Sequence, residues 1–461
     1  MKRFLIWVEA LLLLAACKET TAPVLPMPEF TGFETEVTAD AAVITVRHKG
    51  DYGIVEAGIY LGDDRRIKAD RLESGRYSVS VSDLEASTTY AYKAFISSGL
   101  QELTSETQTF TTNPAPEVIV EEGGKVTIRR EDIPLKEILP TWNVDPANIV
   151  QLVLVGNVTS GDFYFIRANM SRLESVDLRG TGMKTLPNMA LSCTNIVSVD
   201  LPDGLVEIGD EAFYSCYQLT AIRFPNGLRS IGNDAFRYCG QLTGSLVFPE
   251  SLETIGQNAF EGTDFRGDLV IPRNIKSIPS HTFCNAGFYG RLDLPEGIAE
   301  VGESAFSDTH FQGELKLPDN ILAIQDYAFN SAGFTGPLKL PTALKQLGDC
   351  AFQGNGFTGD LEIPDGILEI PVSAFSDAAV SQQYERVILH KDVQRLKVGA
   401  FAVSSGVLKE VICYAEEPPV NEGAFNDESI VACTLYVPAG SIQRYLEADD
   451  WKGFGSIKPI E

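Results

Sequence analysis

Four histidines and eight cysteines are the side chains of this 461-residue chain best suited to nucleophilic, acid–base or metal chemistry. Their spacing supports none of it. His48, His281, His310 and His390 lie apart from one another, and only 281 and 310 come from neighbouring stretches of similar pattern. A zinc protease needs two histidines one helical turn apart with a glutamate beside them. A serine hydrolase needs its nucleophile in a Gly-x-Ser-x-Gly elbow, and a phosphate loop needs a glycine-rich run ending in lysine. None of these strings, and no calcium loop, occurs. The cysteines at 17, 193, 216, 239, 284, 350, 413 and 433 include no Cys-x-x-Cys pair, so no zinc knuckle is indicated. Without Cys17, treated below, seven remain, and an odd number argues against a disulfide framework. No catalytic, cofactor or metal site is expected, and the chain reads as a binding protein rather than an enzyme.

The elements behind these residues repeat. Phenylalanines stand at 213, 236, 260, 283, 306, 329, 352, 375, 401 and 425, in steps of 23 to 26 residues, each behind alanine except at Thr282. A fixed period in the twenties means one short supersecondary unit stacked on copies of itself. In the unit Leu292–Phe306, Leu-Asp-Leu alternates as a short strand with Asp293 outward. Pro295 ends it, as do its equivalents at 202, 225, 249, 272, 318, 341 and 364. Ile298 and Val301 turn inward again, Gly302 opens a bend, and Ala305-Phe306 is expected on a short helical turn. A second ladder, Phe265, Phe288, Phe311, Phe334 and Phe357, marks the return.

Stacking exposes a grid. The outward strand position reads Asp200, Arg223, Val247, Val270, Asp293, Lys316, Lys339, Glu362, and its neighbour reads Asp268, Arg291, Glu314, Pro337, Asp360. Two readings stay open: cross-strand pairing that keeps a sheet soluble, worth tenths of a kcal/mol per pair, or a recognition face. Tyr214, Tyr217 and Tyr238 are a candidate aromatic patch for protein or sugar, or coil-to-coil packing. Cys193, Cys216 and Cys239 read as one position in three successive repeats. Stacked coils sit about 4.8 Å apart, whereas a disulfide wants Cβ atoms at about 3.8 Å, so a buried thiol ladder is expected.

Ahead of the repeats, residues 29–112 change to short alternating runs, Val43–Arg47, Ile54–Leu61, Arg76–Val81, Tyr90–Ile96 and Thr107–Thr111, separated by turn residues. An antiparallel β-sandwich is expected there. Residues 113–125 read as a linker, 126–170 as an N-terminal cap of the solenoid, 171–434 as repeats, and 435–461 as a C-terminal cap. In the last, Ser441 should N-cap a helix with Ile442, Tyr445 and Leu446 on one face. The fold class is thus mostly β, a repeat solenoid with short helical turns behind a sandwich. The net charge of −26 opposes nucleic acid and anionic lipid and favours basic partners.

Three resemblances add to this reading. Leu14-Ala15-Ala16-Cys17, behind Lys2-Arg3 and an apolar run too short to span a bilayer, resembles the lipobox of bacterial lipoproteins. It implies a signal peptide over 1–16, lipid on Cys17, a proline-rich tether over 17–28 and residence in the outer membrane. Lys18-Glu19 resembles the signal that exports such lipoproteins to the cell surface in Bacteroides-like bacteria. Leu84–Tyr92 resembles the tyrosine corner of fibronectin type III modules, with Tyr90 as the corner residue. Ile208-Gly209-Asp210-Glu211-Ala212-Phe213-Tyr214-Ser215-Cys216-Tyr217-Gln218-Leu219, followed by Ile222-Arg223-Phe224-Pro225, is similar to the BspA-like bacterial leucine-rich repeats. That resemblance implies a leucine-rich repeat solenoid and an adhesin-like role, binding a host or bacterial surface protein. A glycan-binding accessory lipoprotein and an architectural envelope scaffold are the alternatives.

Overall fold

The computed structural model describes residues 28–50, 53–130, 133–376, 383–403 and 408–461. Cys17 and the N-terminal segment therefore lie outside the described residues. The chain divides at Pro116/Glu117 into two compact units.

Nine strands build the first: β1 (Glu29–Val37), β2 (Ala42–Lys49), β3 (Glu56–Leu61), β4 (Arg65–Lys68), β5 (Arg71–Glu73), β6 (Arg76–Val81), β7 (Thr89–Ser97), β8 (Glu102–Thr104) and β9 (Gln108–Thr111). They form two antiparallel sheets, β1-β2-β6-β5 and β4-β3-β7-β8, with β9 also on β7. The alternation of Ala42, Ile44 and Val46 with polar neighbours puts one face of β2 in the core, facing Ala57, Ile59 and Leu61 of β3. Buried Tyr77 ties the layers together, its hydroxyl reaching the carbonyls of Gly58 at 3.0 Å and Phe95 at 3.2 Å. The Glu85 N–H donates to the Tyr90 hydroxyl at 2.7 Å, and the Tyr90 ring stacks on Phe110 at 5.6 Å. Strands β1, β4, β5 and β8 were not foreseen, because three of them are only three or four residues long or lie against exposed charge.

The second unit starts earlier than expected. Residues read as a linker include β10 (Glu117–Glu121), paired antiparallel with β11 (Lys125–Arg130). This hairpin heads a sheet continued in parallel by β12 (Gln151–Gly156), β13 (Ser175–Gly180) and Ser198–Asp200. Two helices cover its apolar face, α1 (Leu135–Thr141) and α2 (Ser160–Asn169), burying Leu135, Ile138, Leu139, Phe163 and Ile166. Buried Asp162 joins them. Its carboxylate accepts the Leu135 N–H at 2.9 Å and the Thr159 N–H and hydroxyl at 2.9 and 2.8 Å.

The repeats then stack as coils. Each proline carbonyl accepts the N–H three residues on, as in Ile298 to Pro295 at 3.1 Å, and this turn leads to a second strand position. Pairs such as Glu207–Ile208, Ser230–Ile231 and Thr254–Ile255, and later Glu300–Val301 and Ala323–Ile324, form parallel ladders. This ladder is more regular than the expected Leu-x-Leu strand, which pairs at Leu269–Val270 with Leu292–Asp293 but carries no strand pairing at Leu315–Leu317. Gly232 lets the coils close: a Cβ there would lie 2.6 Å from the Asp210 N. The next coil's backbone binds there too, the Asn233 N–H donating to Asp210 Oδ1 at 2.7 Å.

The Ala-Phe segment is not a helical turn. The residue before the alanine has φ between +50° and +56° in seven coils, at Glu211, Asp234, Asn258, Ser304, Tyr327, Cys350 and Ser373, and is glycine at +67° and +88° in the last two, Gly399 and Gly423. Holding a non-glycine residue there costs on the order of 1 kcal/mol. The gain is a third ladder, in which each Phe N–H donates to the carbonyl just before the next coil's phenylalanine at 2.8–2.9 Å, from Phe213 to Phe401. Ten rings consequently form one stack, Phe213 to Phe425, with centroids 5.0–5.7 Å apart and planes within 19° of parallel. Phe288, Phe311 and Phe334 form a parallel column at 5.7 and 5.2 Å.

The far end closes on Trp451 and Phe454, both buried, which meet Phe425 at 6.3 and 5.6 Å. Thr434–Val437 and Ser456–Pro459 add two parallel strands, so this cap extends the sheet as well as covering the core. Ser441 makes no side-chain cap bond, because its φ of −107° and ψ of −7° are not the extended geometry a capping serine needs. Leu446, expected inward, is 49 % exposed.

The thiol ladder is shorter than expected. Leu191 stands where later coils have phenylalanine, and it lies 22 residues before Phe213, so Cys193 is one position out of register. Cys193 is exposed, whereas Cys216 and Cys239 are buried and donate to the Leu191 and Phe213 carbonyls at 3.0 and 3.1 Å. Asn355 holds the equivalent carbonyl of the preceding coil, Phe329, whereas Thr309 at the same position donates to its own coil's Phe306 carbonyl. Burial pushes Cys284 up to about 11 and Cys433 up to about 12. We expect native protein at neutral pH to take up one alkyl group, on Cys193, among the seven cysteines beyond Cys17. Denatured protein should take up all of them, and fast native labelling of Cys216 or Cys239, read by peptide mass, would refute the packing.

Candidate functional site

The alternation that buries Leu292 and Leu294 and exposes Asp293 sets a charged grid on the strand face. Four of the candidate residues, Arg291, Asp293, Glu314 and Lys316, come together with Asp268 and Glu296 around an open groove of about 740 Å³. Val270 and Leu317 also line it. Asp268 is already engaged, accepting the Arg291 N–H at 2.7 Å through Oδ1. Among the described residues Arg291 and Lys316 form no ion pair, and the side chains of Asp293, Glu296 and Glu314 accept no hydrogen bond. Glu296 was missed in the sequence; its signal was the place directly behind the strand-ending Pro295.

The other candidates lie on the same outward position without joining this groove. Asp200 sits 3.6 Å from Arg179, which also pairs with Asp177 at 2.6 Å and holds that carboxyl below the usual range. Lys339 is 3.9 Å from Asp319, and Arg223 and Glu362 are exposed. Further along, Arg386 bridges Asp360 at 3.1 Å and Glu410 at 2.8 Å across three coils. Charge pairing therefore engages Asp200, Lys339 and Asp360, whereas Arg223, Glu362 and the groove's Arg291, Asp293, Glu314 and Lys316 form no ion pair among the described residues, and only the last four share one opening.

The tyrosines are split. Tyr214 and Tyr238 meet at 6.0 Å and 60°, while Tyr217, 59 % exposed, makes no ring contact with either among the described residues. The Arg237 guanidinium lies 4.7 Å over the Tyr238 ring and donates to its hydroxyl at 3.0 Å. Asp234 and Glu261 anchor that arginine at 3.0 and 3.1 Å. This is a packed cluster in which a cation already covers a ring face. Among the histidines, His390 is buried, one ring nitrogen 2.8 Å from the Ile367 carbonyl and the other accepting the Asp392 N–H at 3.2 Å. That arrangement uses both nitrogens for structure. Among the described residues no cluster of His, Cys, Asp and Glu could hold a metal ion, and no helix is long and apolar enough to cross a membrane.

Several comparisons bear on these coils. No curated protein is similar in sequence to the chain. A leucine-rich repeat protein from Bacteroides ovatus is 18% identical, with 75% of this chain and 98% of that one covered and a TM-score of 0.38. The leucine-rich repeat protein of T. pallidum is 21% identical over 53% and 83% of the two chains, at a TM-score of 0.24. One from Eubacterium ventriosum is 12% identical over 75% and 82%, at 0.22. The BspA type leucine rich repeat region matches in overlapping stretches, 154–243, 206–335, 267–381 and 300–432, and so over more than half of the chain. With its stacked coils, phenylalanine column and family match, the chain belongs to the BspA type leucine-rich repeat proteins.

Proposed function

We propose that this is an envelope-anchored, adhesin-like protein that binds another protein, of host or bacterial origin, on the strand face of its solenoid. The observation that carries the reading is the open groove at Arg291, Asp293, Glu314 and Lys316, where charges of both signs gather around one opening without an ion pair among the described residues. Leucine-rich repeat proteins commonly bind proteins, and an unpaired grid of both signs gives register and selectivity to such a contact. The lipobox-like Leu14-Ala15-Ala16-Cys17 supports lipid anchoring in the outer membrane. The two facing sheets, β1-β2-β6-β5 and β4-β3-β7 with β8 and β9 both on β7, support reading the first unit as an immunoglobulin-type, fibronectin III-like spacer. A glycan reading would rest on Tyr214 and Tyr238, and Arg237 over the Tyr238 ring weighs against it.

The test places a photo-crosslinking residue at Val270, in the groove, or at Glu369, on the other ladder, in cells producing the full chain. Protease shaving of intact and permeabilised cells is run in parallel. A protein adduct from position 270 that disappears when Arg291→Glu and Lys316→Glu are added, together with digestion of intact cells, is the expected result. Equal adducts from both positions would overturn the groove, and protection until permeabilisation would overturn surface display.

A further inference from the structure

The groove is not neutral. Four carboxylates, Asp268, Asp293, Glu296 and Glu314, face two cations, Arg291 and Lys316, within a chain of net charge −26. Val270, in its lining, is 56 % exposed, and Val247, outside the lining at the same outward repeat position one coil earlier, is 74 % exposed. β-propensity does not account for Val247, which lies in no strand. Exposed valines at this position in two successive coils, beside a charged rim, have the composition of an interface centre with its polar border.

We infer that the groove takes an extended polypeptide segment carrying an apolar side chain next to lysine or arginine. This rests on the protein-binding reading above and names the partner's chemistry. The apolar side chain covers Val247 and Val270. The basic one lies one or two coil pitches along, about 5–10 Å away, against Asp293, Glu296 and Glu314. Arg291 and Lys316 between these carboxylates disfavour a simple polycation, which they would repel, and suit a peptide, whose carbonyls accept their N–H bonds. The field of the whole chain draws the same partner in from a distance.

The test selects a displayed random peptide library on the full-length protein and reads the enriched sequences. Expected are peptides with Lys or Arg beside an apolar residue. Their binding should fall about tenfold or more with Val270→Asp or with Asp293→Lys plus Glu314→Lys. It should hold within about twofold with Glu207→Lys plus Glu300→Lys, which changes net charge equally on the other ladder. Melting curves of every variant confirm folding. Acidic or uncharged peptides that bind in the groove would overturn this inference and leave the protein-binding reading standing. Peptides indifferent to position 270 and lost with the control pair would defeat both, and a library enriched for nothing would overturn the inference.

Discussion

Phe306→Ala should remove about 3–5 kcal/mol of stability and split one unfolding transition into two. The ring is fully buried, stacked between Phe283 at 5.5 Å and Phe329 at 5.4 Å, with Phe311 edge-on at 6.2 Å. Backbone ladders on either side fix the coil spacing, so neighbours cannot collapse into the cavity. Coils couple only to adjacent coils, and a hole at the centre of the stack therefore weakens communication between its halves. Calorimetry reads the first effect, and hydrogen exchange at Phe236 and Phe375 N–H, which donate to Ala259 and Ala400, reads the second. A single transition at the wild-type temperature would remove the column as the organising element of the core. Phe306→Leu, which keeps most of the volume, should cost less than half as much.

Trp451→Ala should cost a similar 3–5 kcal/mol, with the damage confined to one end. The indole is fully buried and stacks on Phe454 at 5.9 Å with Tyr445 edge-on at 5.4 Å. Its Nε1–H donates to the Pro419 carbonyl at 2.7 Å. Without it the Pro419 carbonyl loses its partner and Phe425 faces water. Amide protection should then fall first at Thr434–Val437 and Glu410–Cys413 and stay at wild-type levels at Glu207–Ile208. Uniform loss along the solenoid would show that the cap is no separate element.

What could be read from the residues follows from what repeats in side-chain type. Phenylalanine behind alanine recurs often enough to reveal the period, and Leu-x-Leu states which side faces water. The left-handed turn left no such mark, since Glu211, Asn258, Tyr327 and Cys350 share a backbone conformation and nothing in chemistry. The second strand ladder is two residues per coil, too short for alternation to register. Cys193 was misplaced because Leu191 stands in for phenylalanine and hides a 22-residue step. Ser441 has the right type for a cap, but the preceding 3-10 turn, Ala439–Ser441, sets its backbone. As for the groove, Asp268, Val270, Arg291, Asp293, Glu314 and Lys316 were legible singly as outward positions, and Glu296 was not. That Arg291, Asp293, Glu314 and Lys316 stand unpaired while Asp268 is engaged depends on side-chain placement, which no pattern of types encodes.

The three ladders have a mechanical consequence. Their hydrogen bonds run from coil to coil, along the direction of stacking, so a pull on the two ends loads only the outermost coil at any moment. The solenoid should then peel rather than shear, giving way at low force in a series of like events. Each event frees a repeat of about 23 residues, or about 80 Å of slack at roughly 3.5 Å per residue. Stretched between a fixed point and a bound partner, such a chain would lengthen step by step before either attachment failed.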